Sequence, residues 1–397
     1  MSAVKYWVWL ASGSGIGVVA AGALVRRFGT PEKVYLASEE EYRNIDGIRT
    51  TDLQKLARKD IAIANKILAS CDEIGCRIIT QQDAEYPDRL RNIYDPPLVL
   101  YIRGKMPVID EEAAVAIVGT RNCTPYGLTA AEDISYRLAR RGLLVVTGLA
   151  RGIDTAAARG ALRGGGAVVG VIGSGLDVVY PPENRSLFDD VAHNGAIISE
   201  YPPGTPPISI HFPARNRILS GLSLGVAVLE APTKSGALIT ATNALEQGRD
   251  VFAMPGNINA KNSEGSNALL RDGAIPLLSG DNIADEYAEL YPDKIIPFTK
   301  NTQSENNAQL SMMDDSGDTT KQKADAPATE PVDVEKITSA LDGDEKTVAT
   351  TIGTKNMHID EIIIKSGLPA SKVLTAITML EIKGHAQRGI GQYYRLT

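Results

Sequence analysis

AAVAIVGTRNCTPYGLTAAEDISYRLARRGLLVVTG, residues 113–148, decides the fold. Its two ends, AAVAIVG and LLVVTG, are apolar along their whole length, and the stretch between them has helical spacing. A strand with no polar face is covered on both sides, and a helix joining two such strands makes a parallel crossover. The pattern recurs downstream. AVVGVIGSG, AIISEY, GVAVLEA, VFAMPG and IPLLS read as further strands, and ALITATNALEQGRD as a further helix. The expected fold class is α/β: a Rossmann-like, doubly wound, mostly parallel sheet, with residues 76–298 as the core domain.

The flanks differ in composition. Residues 1–75 hold short helical segments separated by glycine turns, which suits a helical domain of SAM or helix-hairpin-helix type. Residues 299–331 are nearly free of large apolar side chains and are expected to form a flexible linker. Residues 332–397 show three helical segments and then a short hairpin with a glycine turn, the pattern of a winged helix. Eight basic and eight acidic side chains balance over residues 333–397, so docking of a partner suits this domain better than reading a DNA groove.

The chain of 397 residues is 43% hydrophobic and 22% charged, ordinary globular values that exclude general disorder. A net charge of −7 argues against a uniformly basic coat, though it leaves room for one cationic groove. Cys71, Cys76 and Cys123 have neither disulfide-framework nor metal-site spacing, which points to a reducing compartment and no metal. No run approaches about 18 apolar residues, so a cytoplasmic protein without membrane insertion is expected.

In a doubly wound sheet, ligands lie beyond the carboxyl ends of the strands. The first strand is followed by Gly119, Thr120 and Arg121, and the second by Gly148, with Arg151 three residues on. Asp154 and Thr155 there are suited to cap a helix. The third strand ends in Gly173, Ser174 and Gly175. FPARNRILSGLS, residues 212–223, brings Arg215 and Arg217 to the next strand, which is followed by Lys234 and Ser235. Glycine-freed amides and helix N-termini bind anions, and arginine adds bidentate phosphate contacts. These positions are expected to form a phosphate-binding rim, although Arg217 has an alternative role in pairing with Glu200 or Glu230. Tyr126, Tyr180, Tyr201 and Phe212 are the stacking candidates.

Enzymatic signals are thin. The first strand leads into VGTRNC, without the spacing of a dinucleotide fingerprint, and no Walker A loop occurs, so no cofactor is expected. His211 is the histidine nearest the rim and has no triad or metal spacing around it. No catalytic residue emerges, and a non-enzymatic role follows.

AIVGTRNCTPYG, TGLARGIDTAAARGAL, GVIGSGLDVVYPPEN, ISEYPPGTPP, FPARNRILSGLS and SGALITATNALEQGRDVFAMPG run in this order. Over about residues 85–290 the chain resembles the DNA-processing protein A (DprA, or Smf) family. The resemblance implies a homodimer that binds single-stranded DNA, protects incoming DNA in natural transformation and loads the RecA recombinase. It also carries Asn216 into the DNA pocket beside Gly119, Thr120, Arg121, Arg151, Ser174, Arg215, Arg217 and Lys234. One position departs from the family, Ala158, where a histidine is usual. The competing expectation is a nucleotide-binding or phosphoribohydrolase-like protein using the same pocket. Against it, Pro232–Thr240 lacks the glutamate that ends the phosphoribohydrolase signature.

Overall fold

The computed structural model describes residues 3–43, 45–297, 338, 341–353, 357–383, 385–388 and 393–396. The expected linker, 299–331, lies outside the described residues. Those up to 297 form one compact unit and those from 338 a second.

Nine strands make the sheet of the first unit. They are β1 (Arg77–Thr80), β2 (Val99–Gly104), β3 (Ala114–Val118), β4 (Leu144–Thr147), β5 (Val168–Ile172), β6 (Ala196–Ser199), β7 (Gly225–Val228), β8 (Asp250–Ala253) and β9 (Ile275–Pro276). Their order is β1-β2-β6-β5-β4-β3-β7-β8-β9. From β6 to β9 every neighbouring pair is parallel, whereas β2 runs antiparallel to β6 and β1 to β2. Each apolar run expected to be a strand is one. The antiparallel edge of β1 and β2 was not legible, because RIIT is short and half exposed and the second run follows a proline pair.

Alternation along β3 divides the core in two. Val115 and Ile117 pack against α8 (Pro125–Arg140) and α9 (Ile153–Arg163), in a cluster that also takes α10 (Arg185–His193) and α14 (Gly280–Tyr287). Ala114, Ala116 and Val118 face α11 (His211–Leu222) and α12 (Gly236–Glu246), in a cluster that also takes α7 (Asp88–Arg91) and α13 (Glu264–Arg271). The N-terminal helices α1 (Val4–Val8), α2 (Val18–Phe28), α3 (Pro31–Leu36), α4 (Glu39–Arg43), α5 (Thr50–Ala57) and α6 (Ile61–Ile74) share the first cluster through Trp7, Trp9, Leu24, Leu56 and Tyr101 of β2. They therefore bury their apolar faces in the same core as the sheet.

The second unit holds α15 (Gly343–Ile352), α16 (Ile359–Ser366), α17 (Ala370–Ile382) and the antiparallel sheet β10 (Met357–His358), β12 (Tyr393–Leu396), β11 (Ala386–Arg388). Val348, Ile362, Val373, Ile377, Leu380 and Leu396 form its core. This is the expected winged helix. Lys372 of its helix α17 and Lys383, the residue after that helix, are tied to Asp344 and Glu345 of α15 at 3.3 and 2.6 Å.

Candidate nucleic-acid interface

The chain winds outward from β3 through β4 and β5 to β6, then returns past β3 to lay down β7, β8 and β9 on its other side. Loops leaving β3 and β7 therefore diverge, and the crevice between them is the switch point of the fold. A cavity of about 530 Å³ opens there. Gly119, Thr120 and Arg121 line it from the end of β3, and Ala150 and Asp154 from the end of β4. Lys234, Ser235 and Gly236 close it after β7, and α11 lies across it with Phe212, Arg215 and Asn216.

Each wall has a local cause. A Cβ on Gly119 would stand 2.5 Å from Ile153 Cγ1, so only glycine lets β3 turn this close to α9. Thr124 caps α8, accepting the Gly127 N–H at 3.1 Å, with Pro125 at the first helical position. Buried Glu230 holds the same loop, accepting the Thr124 N–H at 2.8 Å and its hydroxyl at 2.5 Å. Ser235 caps α12 by accepting the Ala237 N–H at 3.3 Å. Asn216 donates from Nδ2 to the Gly236 carbonyl at 3.1 Å, fixing α11 to the start of α12.

Asp154 and Thr155 are not helix caps. α9 is capped by Gly152, whose φ of 75° is one that glycine adopts without strain, and Thr155 Oγ1 donates to the Ala150 carbonyl at 2.6 Å. Asp154 lies in the first turn and accepts backbone hydrogen bonds from Ala150 and Gly148. Burial pushes its carboxyl up, against the pull of the neighbouring Arg215 guanidinium.

Helical period separates the two arginines of FPARNRILSGLS. At about 100° per residue, Phe212, Arg215, Asn216 and Leu219 share one face, and Arg217 points about 200° from Arg215. The first group lines the cavity. Arg217 is buried on the other side, bonding Asp95 Oδ2 at 2.9 Å, Glu200 Oε1 at 2.7 Å and the Ala214 carbonyl at 3.2 Å. Burial pulls its guanidinium pKa down, but Glu200 and Asp95 outweigh that and the net shift is upward. Of the two acids named for it from sequence, the structure selects Glu200; Glu230 is held by Thr124.

Arg215 is 3% exposed and donates from Nη1 to the Val171 carbonyl, while its Nε has no partner. Burial lowers it to about 10, against the attraction of Asp154, and it stays charged at neutral pH. At the rim, the Arg121 guanidinium sits 4.7 Å from the centre of the Phe212 ring, and Phe212 lies 5.6 Å from Tyr180. Lys234 is exposed and forms no ion pair among the described residues. Three cations thus face one acid, Asp154, around the cavity.

Gly148, Arg151, Gly173, Ser174 and Gly175 stand back from the lining. Gly148 lies where a Cβ would strike Arg215 and Asp154. Arg151 is exposed and paired with Glu183, its Nη2 3.2 Å from Oε2. Gly173 accepts from His211 Nδ1 at 3.1 Å, Ser174 donates to the Val178 carbonyl at 3.0 Å, and Gly175 donates to the Thr205 carbonyl at 2.9 Å. These three shape the loop beside α11. Tyr180 and Phe212 border the cavity. Tyr201 instead stacks on His211 at 3.9 Å, and Tyr126 borders a separate groove with Met254 and Leu277. Sequence reading missed Pro207 and Ser209, which line the cavity from the loop ahead of α11. Their only signal is a proline-rich stretch.

Fold and site together define a Rossmann-like protein with a cationic switch-point cavity, joined in one chain to a winged helix. The family model of DNA recombination-mediator protein A matches residues 77–288, and that of the DprA winged helix domain matches residues 325–392. Protein Smf of Synechocystis sp. is 32% identical over 98% of each chain. DNA processing protein DprA of Streptococcus pneumoniae is 45% identical over 51% of this chain and 71% of its own. An X-ray structure of DNA processing protein A from Streptococcus pneumoniae superposes with a TM-score of 0.63 and 35% identity, covering 71% of this chain and 97% of that one. The chain belongs to the DNA-processing protein A (DprA/Smf) family.

Proposed function

We propose that the switch-point cavity grips single-stranded DNA by its phosphates, without catalysis. The observation that carries this reading is the convergence of Arg121 and Lys234, neither in a salt bridge among the described residues, beside the Phe212–Tyr180 pair. Phosphate contacts together with stacking faces hold a single strand with little sequence preference. Gly119, Thr120, Asn216 and Ser235 would supply polar contacts near the backbone. Gly148, Gly173, Ser174, Gly175 and Arg217 would hold the loops and α11 in place, and Arg151 would join the strand on leaving Glu183.

A non-enzymatic role is supported by the character of the acids. Asp154 is the only carboxylate among the lining residues, and it is buried and bonded to its own loop. Thr240 lines the cavity where a phosphoribohydrolase would carry its glutamate. Family membership supports the wider role: protection of incoming single strands and loading of the RecA recombinase during natural transformation, by a cytoplasmic homodimer. No helix among the described residues is long and apolar enough to cross a membrane.

Fluorescence anisotropy with labelled oligo-dT and a duplex of equal length tests the reading. The single strand should bind much more tightly than the duplex, and Arg121→Ala/Lys234→Ala should lose most of that affinity while keeping its circular dichroism. Equal binding of both forms, or a double variant with unchanged affinity, overturns it.

A further inference from the structure

We propose that the floor of the cavity is a receptor for a phosphate monoester, the terminal phosphate of a DNA strand, a refinement that rests on the strand-binding reading. The key group is Arg215. Its Nη1 is used on the Val171 carbonyl, Nε has no partner, and Nη2 forms no hydrogen bond among the described residues. Nε is closed off from water as well as unpaired, so Nη2, which meets no acceptor among the described residues, is the donor left for an anion where Arg215 lines the cavity. A buried guanidinium with part of its donor set unpaired is costly unless an anion completes it. Salt bridges occupy Arg217 on the opposite face of the helix, yet none joins Arg215 to a carboxylate among the described residues.

Charge and surroundings select the anion. Arg121, Arg215 and Lys234 face Asp154 alone, leaving an excess of two positive charges. An internal phosphodiester carries one negative charge. A terminal monoester carries close to two above its second pKa of about 6. Ser235 and the start of the 11-residue helix α12 border the same cavity, and first-turn amides favour an anion. The volume of about 530 Å³ holds one nucleotide, with Arg121, Phe212 and Tyr180 placed to meet its base.

Calorimetry on the full chain tests this with dT12 carrying a 5′-phosphate, a 3′-phosphate or no phosphate, and with thymidine 5′-monophosphate against thymidine. One phosphorylated end should bind about tenfold more tightly than the unphosphorylated strand at pH 7.5. That gain should shrink between pH 7 and pH 5.5 as the monoester takes up its second proton. Arg215→Gln keeps a polar side chain but loses the charge, and should erase the gain; if it does not fold, the pH profile of the unmodified protein decides alone. Equal affinities for all three strands refute the monoester receptor and leave the strand-binding reading standing. Tight thymidine monophosphate with no strand binding refutes strand binding and assigns the receptor to a free nucleotide. Failure of every phosphorylated probe to exceed its unphosphorylated counterpart overturns the proposal.

Discussion

The two sides of α11 each bury an arginine, and they satisfy it differently. On one side Arg217 is held by Asp95 and Glu200 and by the carbonyl of Ala214. On the other, Arg215 keeps Nε unpaired and has only Asp154 as a nearby countercharge. A closed network of charge-assisted bonds contributes to stability and orientation. A buried charge with unused donors costs stability unless a ligand completes it. Position on the helix, not residue type, sets the surroundings of each arginine.

That contrast is most open to attack on stability. Arg217→Met leaves two partly buried carboxylates without their shared partner and should cost about 3 kcal/mol in urea unfolding of the full chain. Arg215→Ala should cost far less in the same experiment; equal losses would break the comparison. The order reverses for binding. Arg215→Ala should weaken dT12 carrying the preferred terminal phosphate by roughly tenfold, about 1.4 kcal/mol, while folded Arg217→Lys should stay within a few-fold of the unmodified protein. Next in size are the rim cations. Arg121→Ala and Lys234→Ala should each cost several-fold in affinity and reduce the slope of log K against log salt by about 1. An unchanged slope would remove them from the phosphate path.

Smaller effects sharpen the picture. Arg151 pairs with Glu183 at the surface, where an ion pair is weak and easily exchanged for phosphate. Glu183→Gln should therefore raise affinity about twofold in an anisotropy titration, and a loss would show that the pair is structural. On the Arg217 side, burial and then Glu200 push the Tyr201 hydroxyl up to about 12 from an ordinary 10. The folded chain holds that proton more tightly than the unfolded chain does. The resulting stability is full below pH 10 and is lost as pH rises toward 12. Tyr201→Phe should make the fall in urea midpoint between pH 9 and pH 11.5 shallower.

The parallel strands were legible because burial on both faces leaves no polar residue along them. The rim followed from the same reading, since Gly119, Thr120, Arg121, Lys234 and Ser235 simply come next in the chain after β3 and β7. Arg215 and Arg217 could not be separated while FPARNRILSGLS was read only as a stretch leading to the next strand. A helix that begins at His211 supplies the period that parts them. Glu200 was visible as a partner for Arg217 because it follows β6. Asp95 was not, lying 122 residues from Arg217 in an irregular loop. Ser174 shows the opposite difficulty: a polar residue at a strand end resembles a ligand contact until its hydroxyl is found bonded to Val178.

A strand held in the switch-point cavity would lie against Phe212 and Tyr180. Photo-crosslinking of 5-iodouracil-substituted oligo-dT to the full chain, with adducts located by mass spectrometry, tests it most directly. Adducts are expected on Phe212 or Tyr180, and unlabelled single strand should compete them away. Adducts confined to the winged helix, or to the Arg217 side of α11, would contradict it.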